Sequence, residues 1–258
     1  VPTPVAGGLT LEALAVGANH ACAITTQGNA YCWGRSPNGA FGDGTVGLRV
    51  TPAPAAPGLT LRSIVAGSDF TCGLTPAGAA FCWGLGVQGQ LGDGNRTTSR
   101  VPVAVAGGRT FQSLAAGGQA VCGLTTSGEA FCWGQNSFGT LGDGTRQLRS
   151  APVAVAGGLT FTSLSAGYET MCGVTPAGVG YCWGYNLSGQ IGDGTEESRS
   201  TPTPIAGNLT FRSVSSGVGS SCGVTIANAL YCWGDNSNGG LGDGTVSSHD
   251  LPAPVHWR

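Results

Sequence analysis

Ten cysteines are the residues of this chain with the clearest chemical potential, because they come in pairs ten positions apart: Cys22 and Cys32, Cys72 and Cys82, Cys122 and Cys132, Cys172 and Cys182, Cys222 and Cys232. Each pair flanks a short polar turn, as in "HACAITTQGNAYCWG" at 20–34. If Cys22 stands opposite Cys32 in a hairpin, Ile24 faces Ala30 and Thr25 faces Asn29, leaving Thr26, Gln27 and Gly28 as a three-residue loop with glycine at its left-handed position. The other turns agree, with Gly78, Gly128, Gly178 and Asn228 at that position; asparagine is the residue that best replaces glycine there. Opposed strand positions hold Cβ atoms about 4.5–5.5 Å apart, close to disulfide range. Five intra-hairpin disulfides are therefore the expectation, and they imply an oxidising compartment, so secretion to the cell surface or medium. Zinc and free thiols are the rival readings. Zinc would need two more ligands per pair, and the chain holds only His20, His249 and His256.

Other chemistry-bearing residues are sparser. "LGDGT" lacks the Lys-Ser/Thr of a phosphate loop, and "DNSNGGLGDG" at 235–244 fails the calcium-loop template. The recurring Asp43, Asp93, Asp143, Asp193 and Asp243 read as carboxylates that cap their own turn amides. His20 lies near Asp69 and Glu169 in equivalent loops, but no nucleophile, base and orienter recur together. No catalytic residue, cofactor or metal is expected.

These residues sit in an array. The cysteines, "CWG" and "GDG" repeat with a period of 50 residues and no insertion, in blocks 1–50, 51–100, 101–150, 151–200 and 201–250, followed by 251–258. Each block reads as four short strands: a "TPxPV" stretch, "LTFxSLxAG", the stretch ending "CGLT", and "AFCWG". The fold expectation is all-β: a single β-propeller domain over 1–258, of five four-stranded blades with one disulfide each. The small residues before Gly17, Gly67, Gly117, Gly167 and Gly217 suit the strand nearest the axis. Proline suits "TPxPV" to an outer edge. That segment occurs six times, counting Pro2–Val5 and Pro252–Val255, so one end copy is surplus and 251–258 is an extra closing or exchange strand, able to link copies into a homo-oligomer or filament.

The run "GxxHxCxLTxxGxxYCWGxNxxGQLGDGT", carried by "CWGQNSFGTLGDGT" at 131–144 and "CWGYNLSGQIGDGT" at 182–195, resembles the regulator of chromosome condensation repeat family, above all its cysteine-bearing bacterial versions. The resemblance spans the chain and implies a β-propeller. It departs from the family's best-known members, which have seven blades, in having five blocks; the family histidine survives only as His20; and the strict period has no room for the inserted loop of the nucleotide-exchange members.

Composition limits the partners. Eleven arginines, no lysine and thirteen acids give a net charge of −2, with 9 % charged and 41 % apolar residues. No basic field exists to collect nucleic acid, and no apolar run is long enough to span a membrane. The segments that vary between blocks are 18–21, 35–38 and 45–50, all at strand ends or loops. They supply the candidate interaction surface: Asn19, His20, Asp69, Phe70, Gln119, Tyr168 and Glu169, with Arg35, Arg100, Arg149 and Arg199. A protein or glycan partner is expected. The function expected is a non-catalytic structural or interaction module of an extracellular assembly; the second reading is a dedicated binder such as an inhibitor or adhesin. Asn95, Asn186 and Asn208 begin glycosylation sequons. Peptide mapping of the unreduced protein should recover five intra-block cystine pairs, and a dominant linkage between blocks would refute the hairpin register.

Overall fold

The computed structural model describes residues 4–255. The first sheet is an antiparallel meander of β1 (Leu11–Val16), β2 (His20–Thr25), β3 (Ala30–Ser36) and β4 (Gly47–Ala55). The second repeats it with β5 (Ser63–Ala66), β6 (Phe70–Leu74), β7 (Ala80–Gly84) and β8 (Ser99–Ala104). The third has β9 (Ser113–Gly117), β10 (Ala120–Leu124), β11 (Ala130–Gly134) and β12 (Arg149–Ala154). The fourth has β13 (Ser163–Ala166), β14 (Thr170–Val174), β15 (Gly180–Gly184) and β16 (Arg199–Pro204). The fifth closes with β17 (Phe211–Ser216), β18 (Ser220–Thr225), β19 (Leu230–Gly234) and β20 (His249–Pro254). These are propeller blades. Successive first strands pack side by side, β1 on β5, β5 on β9, β9 on β13 and β13 on β17, so the small-residue strand is the axial one.

The hairpin register follows the turn chemistry. Cys22 pairs with Cys32 and Ile24 with Ala30, and the same offset recurs in every blade. Gly28 takes φ +79° and Asn228 φ +64°, the left-handed conformation that position three of the loop requires. All ten cysteines are disulfide-bonded within their own hairpins, with Cα atoms 4.0–4.1 Å apart.

Blades and sequence blocks are out of phase. The fourth strand of each blade is the proline stretch of the next block, because the proline stretch reaches "CWG" across the "GDG" loop whereas the connector before "LTF" leads on to the following blade. The C-terminal proline copy is thus the outer strand of the fifth blade, in β20. Of the N-terminal copy, Pro2 and Thr3 lie outside the described residues, and Pro4 and Val5 are exposed and in no strand.

The core is a series of apolar clusters between neighbouring blades rather than one central mass. Each blade's third strand carries a bulge at the "CWG" tryptophan, where the register shifts between cysteine and glycine. A bulge re-aims a side chain, and here the indole points into the preceding blade. Trp83 Nε1 donates to Ala40 O at 2.9 Å, Trp133 to Gln90 O at 3.1 Å, Trp183 to Thr140 O at 3.0 Å and Trp233 to Gln190 O at 2.9 Å. These four indoles are wholly buried. A second bond repeats at each junction: Gly44, Gly94, Gly144 and Gly194 amides donate to Arg100, Ser150, Ser200 and Asp250 carbonyls at 2.8–3.0 Å.

The fifth blade makes no such junction with the first among the described residues. Trp33 is half-buried and its indole has no hydrogen-bond partner among the described residues, and a side chain at Gly240, the position equivalent to the carbonyl-bearing Ala40 and Gln90, would meet empty space. The blades form an arc with two unequal faces, and the ring of five that the repeat count implies is not closed by these contacts.

Two glycines separate junction packing from backbone conformation. A Cβ on Gly92 would lie 2.7 Å from the Trp133 indole nitrogen, whereas one on Gly94 would touch nothing within 4 Å, yet both have positive φ. Each alanine substitution costs about 1–2 kcal/mol for the left-handed backbone; Gly92→Ala should cost a further ~1–3 kcal/mol for overpacking. Guanidinium unfolding should therefore rank Gly92→Ala well below Gly94→Ala, and equal midpoints would show that the indole does not fill that space.

Candidate functional site

Antiparallel alternation fixes which loops share a face. His20 pairs with Gly34 and Gly34 with Arg49, so the β1–β2 and β3–β4 loops lie at the same end of the blade, and equivalent pairings recur along the array. The three segments that vary between blocks, 18–21, 35–38 and 45–50, therefore all open on one face. The hairpin turns, which keep glycine or asparagine at their third position, and the inter-blade connectors lie on the other.

At the centre of the variable face is a depression of about 290 Å³, floored by the ends of all five axial strands and walled by Val16, Tyr168 and Val218. These walls are well exposed, at 70 %, 47 % and 77 %. Gly17, Gly67, Gly117 and Gly167 let the loops approach one another here: a Cβ on Gly117 would collide with the Gly167 carbonyl. Ser68 N donates to Gly118 O at 2.9 Å and Tyr168 N to Gly217 O at 3.1 Å, fixing the rim.

Tyr168 lines this depression, and Asn19, Asp69, Gln119 and Glu169 directly follow lining residues in their loops; Asn19 and Tyr168 are exposed and the others half-buried. Two candidates do not belong to the surface. Phe70 is fully buried and His20 is 3 % exposed, because an aromatic ring at this position packs beneath the glycine three residues earlier.

His20 Nε2 donates to Thr71 Oγ1 at 2.9 Å, while the Thr71 hydroxyl donates to Ala40 O at 2.9 Å, so His20 is a staple across the first junction. Its Nδ1 has no partner, and neither does Asp69 Oδ1. Burial holds the imidazole below its ordinary pKa, with the nearby Asp69 charge opposing that shift.

Outside the rim runs a ring of Asp–Arg clamps. One oxygen of each carboxylate accepts its turn amide, from Thr45, Asn95, Thr145, Thr195 and Thr245 at 2.8–3.1 Å. The other oxygen takes Arg49, Arg149 (2.9 Å) or Arg199 (2.7 Å), His249 at 2.6 Å in the last blade, and in Asp93 the Asn95 side-chain amide at 3.1 Å. These contacts hold the carboxyls of Asp43, Asp143 and Asp243 below the usual range, by hydrogen bonds that outweigh burial where burial opposes them. Arg149 and Arg199 are thus committed to their own loops, while Arg35 and Arg100 are exposed. The Asp-to-Arg spacing of six was visible in three blocks and identifies the clamp.

Of the three sequons, Asn95 and Asn208 are exposed. Asn186 is fully buried: its Nδ2 donates to Thr195 O at 2.8 Å and Glu197 O at 3.1 Å, and its Oδ1 accepts from Ile191 N at 2.7 Å. That side chain holds the loop together and has no room for a glycan. Among the described residues no cluster of three or more His, Cys, Asp or Glu could hold a metal, and no helix is long and apolar enough to cross a membrane.

Two models of the regulator of chromosome condensation (RCC1) repeat match the chain, one over 12–40, 61–90, 111–140 and 211–239 and the other over 77–124, 127–174 and 178–224, together more than half of its length. No curated protein matches it. Among solved structures, it is similar to yeast RCC1 (Prp20) in complex with Kap60, with a TM-score of 0.83 at 22 % identity over 97 % of this chain and 62 % of that one. It is also similar to human WBSCR16, with a TM-score of 0.72 at 16 % identity over 100 % and 85 %, and to the ectodomain of the Physcomitrella patens receptor kinase CR4, with a TM-score of 0.57 at 28 % identity over 90 % and 52 %. The chain spans less than two thirds of the yeast protein's length.

The histidine staple carries a sign. An imidazole whose folded pKa lies below its unfolded value stabilises the fold fully above about pH 6.5 and progressively less as pH falls toward the folded value. Replacing it with the phenylalanine of the next block, His20→Phe, should shrink the loss of Tm between pH 7.5 and pH 5; each unit of depression is worth about 1.4 kcal/mol. An unchanged acid dependence would remove His20 as its source.

Proposed function

Because the chain belongs to the regulator of chromosome condensation (RCC1) repeat family, we propose that it is a secreted, non-catalytic protein-interaction module that binds a partner through the variable loop face. The observation that carries this reading is where the most variable segments lie: 18–21, 35–38 and 45–50 and their equivalents all open on one face, around an exposed apolar depression. A rigid scaffold with variable loops on one side is the arrangement by which a fold presents binding residues. Similar propellers are known with protein partners: yeast RCC1 is seen bound to Kap60, and Saccharomyces cerevisiae Prp20p is described with binding to Gsp1p and histones.

The disulfides support the extracellular setting, since five cystines persist only in an oxidising compartment. His20, in a variable segment of the first blade, is buried with its Nε2 bonded to Thr71 and serves the junction rather than the binding surface. Assembly of copies through a surplus end strand has less support, because the C-terminal proline copy is already occupied in β20.

Comparative pull-down from the extracellular fraction of the source tests this. A loop-face variant carrying Asn19→Ala, Arg35→Ala and Arg100→Ala should recover its partner at least about tenfold less well, as loss of a few interface anchors does. A turn-face variant carrying Gln27→Ala and Ser127→Ala should recover it unchanged. Loss confined to the turn-face variant would place the interface on the opposite side and overturn the proposal.

A further inference from the structure

The outer strand of the first blade differs from its four counterparts. β4 runs nine residues, whereas β8, β12, β16 and β20 run six each. The added length lies ahead of Pro52, where the ladder continues with Arg35 opposite Leu48 and Ser36 opposite Gly47. The stretch 47–51 is therefore a proline-free edge, while each other outer strand starts only three residues before its proline.

Its side chains differ as well. Val46, Leu48 and Val50 are 45 %, 72 % and 85 % exposed. At the position of Val50 the later blades carry Arg100, Ser150, Ser200 and Asp250. Those polar residues stay exposed or half-buried with a preceding blade in place, so the open end of the arc does not by itself account for an aliphatic stripe here. Strand alternation sets Leu48 and Val50 on one face, and Arg49 turns to the other, over the Phe41 ring at 4.2 Å and onto Asp43.

The main chain of the same residues is open to a partner. In the later blades the carbonyls of Arg100, Ser150, Ser200 and Asp250 each accept a glycine amide from the preceding blade; among the described residues no such amide reaches Val50. Alternate residues of a strand direct their main-chain groups to opposite edges, so Leu48 presents its amide and carbonyl on the same free side as Val50.

We propose that this edge is a homodimer contact, in which residues 47–51 of two copies pair antiparallel about a two-fold axis and join two first blades into one continuous sheet. An antiparallel edge is self-complementary under a two-fold, with residue i meeting j and j meeting i. The stripe carries no charge, so it meets its own copy without repulsion and forms aliphatic cross-strand pairs. Sheet edges are ordinarily blunted by proline, short length or charge; the other four outer strands are short with proline close to their start, and 47–51 has no such guard apart from Arg49, which is spent on Asp43. A contact of this extent falls below the roughly 1,200 Å² of a standard stable interface, so the dimer is a weak, reversible one. It is separate from the partner proposed for the loop face and does not depend on it.

Sedimentation velocity of the intact 258-residue chain between about 1 and 200 µM, the range in which a weak contact populates both states, tests this. The wild type should pass from monomer to dimer and stop there. Leu48→Lys, Val50→Lys should weaken the dimer at least about tenfold, because edge lysines oppose pairing. Val218→Lys, Val246→Lys adds the same charge at fifth-blade residues that are 77 % and 69 % exposed, and should leave the dimer unchanged; thermal melts check that both variants fold. In wild-type hydrogen exchange, the Leu48 and Val50 amides should become more protected as concentration rises, a readout that needs no substitution. A monomer across the whole range would overturn the proposal. So would a dimer in which those two amides exchange as fast as in the monomer, or one that the Leu48, Val50 variant leaves intact. Species that grow beyond a dimer and are lost in the Val218, Val246 variant would assign the contact to the two ends of the arc instead.

Discussion

The interaction on which the rest of this structure depends is the hydrogen bond from a tryptophan indole to a main-chain carbonyl of the preceding blade. A buried indole N–H left without an acceptor would cost on the order of 1–3 kcal/mol, so the bond fixes not just that two blades touch but at what angle and height. The rest of the "CWG…GDG" segment serves that bond. The bulge at the tryptophan aims the ring outward, and the glycine two residues beyond the accepting carbonyl leaves space for it; a Cβ on Gly42, Gly142 or Gly192 would lie 2.7–2.8 Å from the indole nitrogen. The Asp–Arg clamp then holds the loop that carries the carbonyl. Once the blades are set in this way, the axial strand ends converge and the variable loops fall on one face.

Two kinds of force divide the labour. Within a blade, the ladder, the left-handed turn and the disulfide act locally; each disulfide closes an eleven-residue loop, worth about 3 kcal/mol in the chain-entropy account. Between blades nothing is covalent except the chain itself, and cohesion comes from apolar clusters and the indole bond. Energetics of this kind are close to a sum over units and nearest-neighbour contacts. The indole of Trp33, without a preceding blade, and the empty surroundings of Gly240 mark where that sum stops.

Much of this was legible in the residues. The hairpin register could be read because turn chemistry and cysteine spacing constrain it independently, and the axial strand because only small residues fit there. The phase between blades and blocks was not, since a 50-residue period is the same wherever counting begins and only hydrogen bonding shows that β4 belongs with β3. Burial was misjudged at His20 and Phe70, where an aromatic residue beside a loop reads as surface until the glycine above it is seen to admit the ring. The sequon at Asn186 misled for a related reason: an asparagine that bonds three main-chain groups of its own loop has the same local sequence as an accessible one.

The placement of the disulfides has a consequence for how such a chain changes over generations. Every cystine opens and closes inside one 50-residue block. Unequal crossing-over that adds or removes a block therefore never leaves a cysteine without its mate, and each mate stays ten residues away, the nearest cysteine in the chain. The same holds for the indole bond, whose donor and acceptor lie at one fixed offset, so an inserted block meets its neighbours on terms already encoded in its own residues. A gene built this way can lengthen or shorten by recombination while each product remains able to oxidise correctly, and divergence is left free to accumulate in the loops.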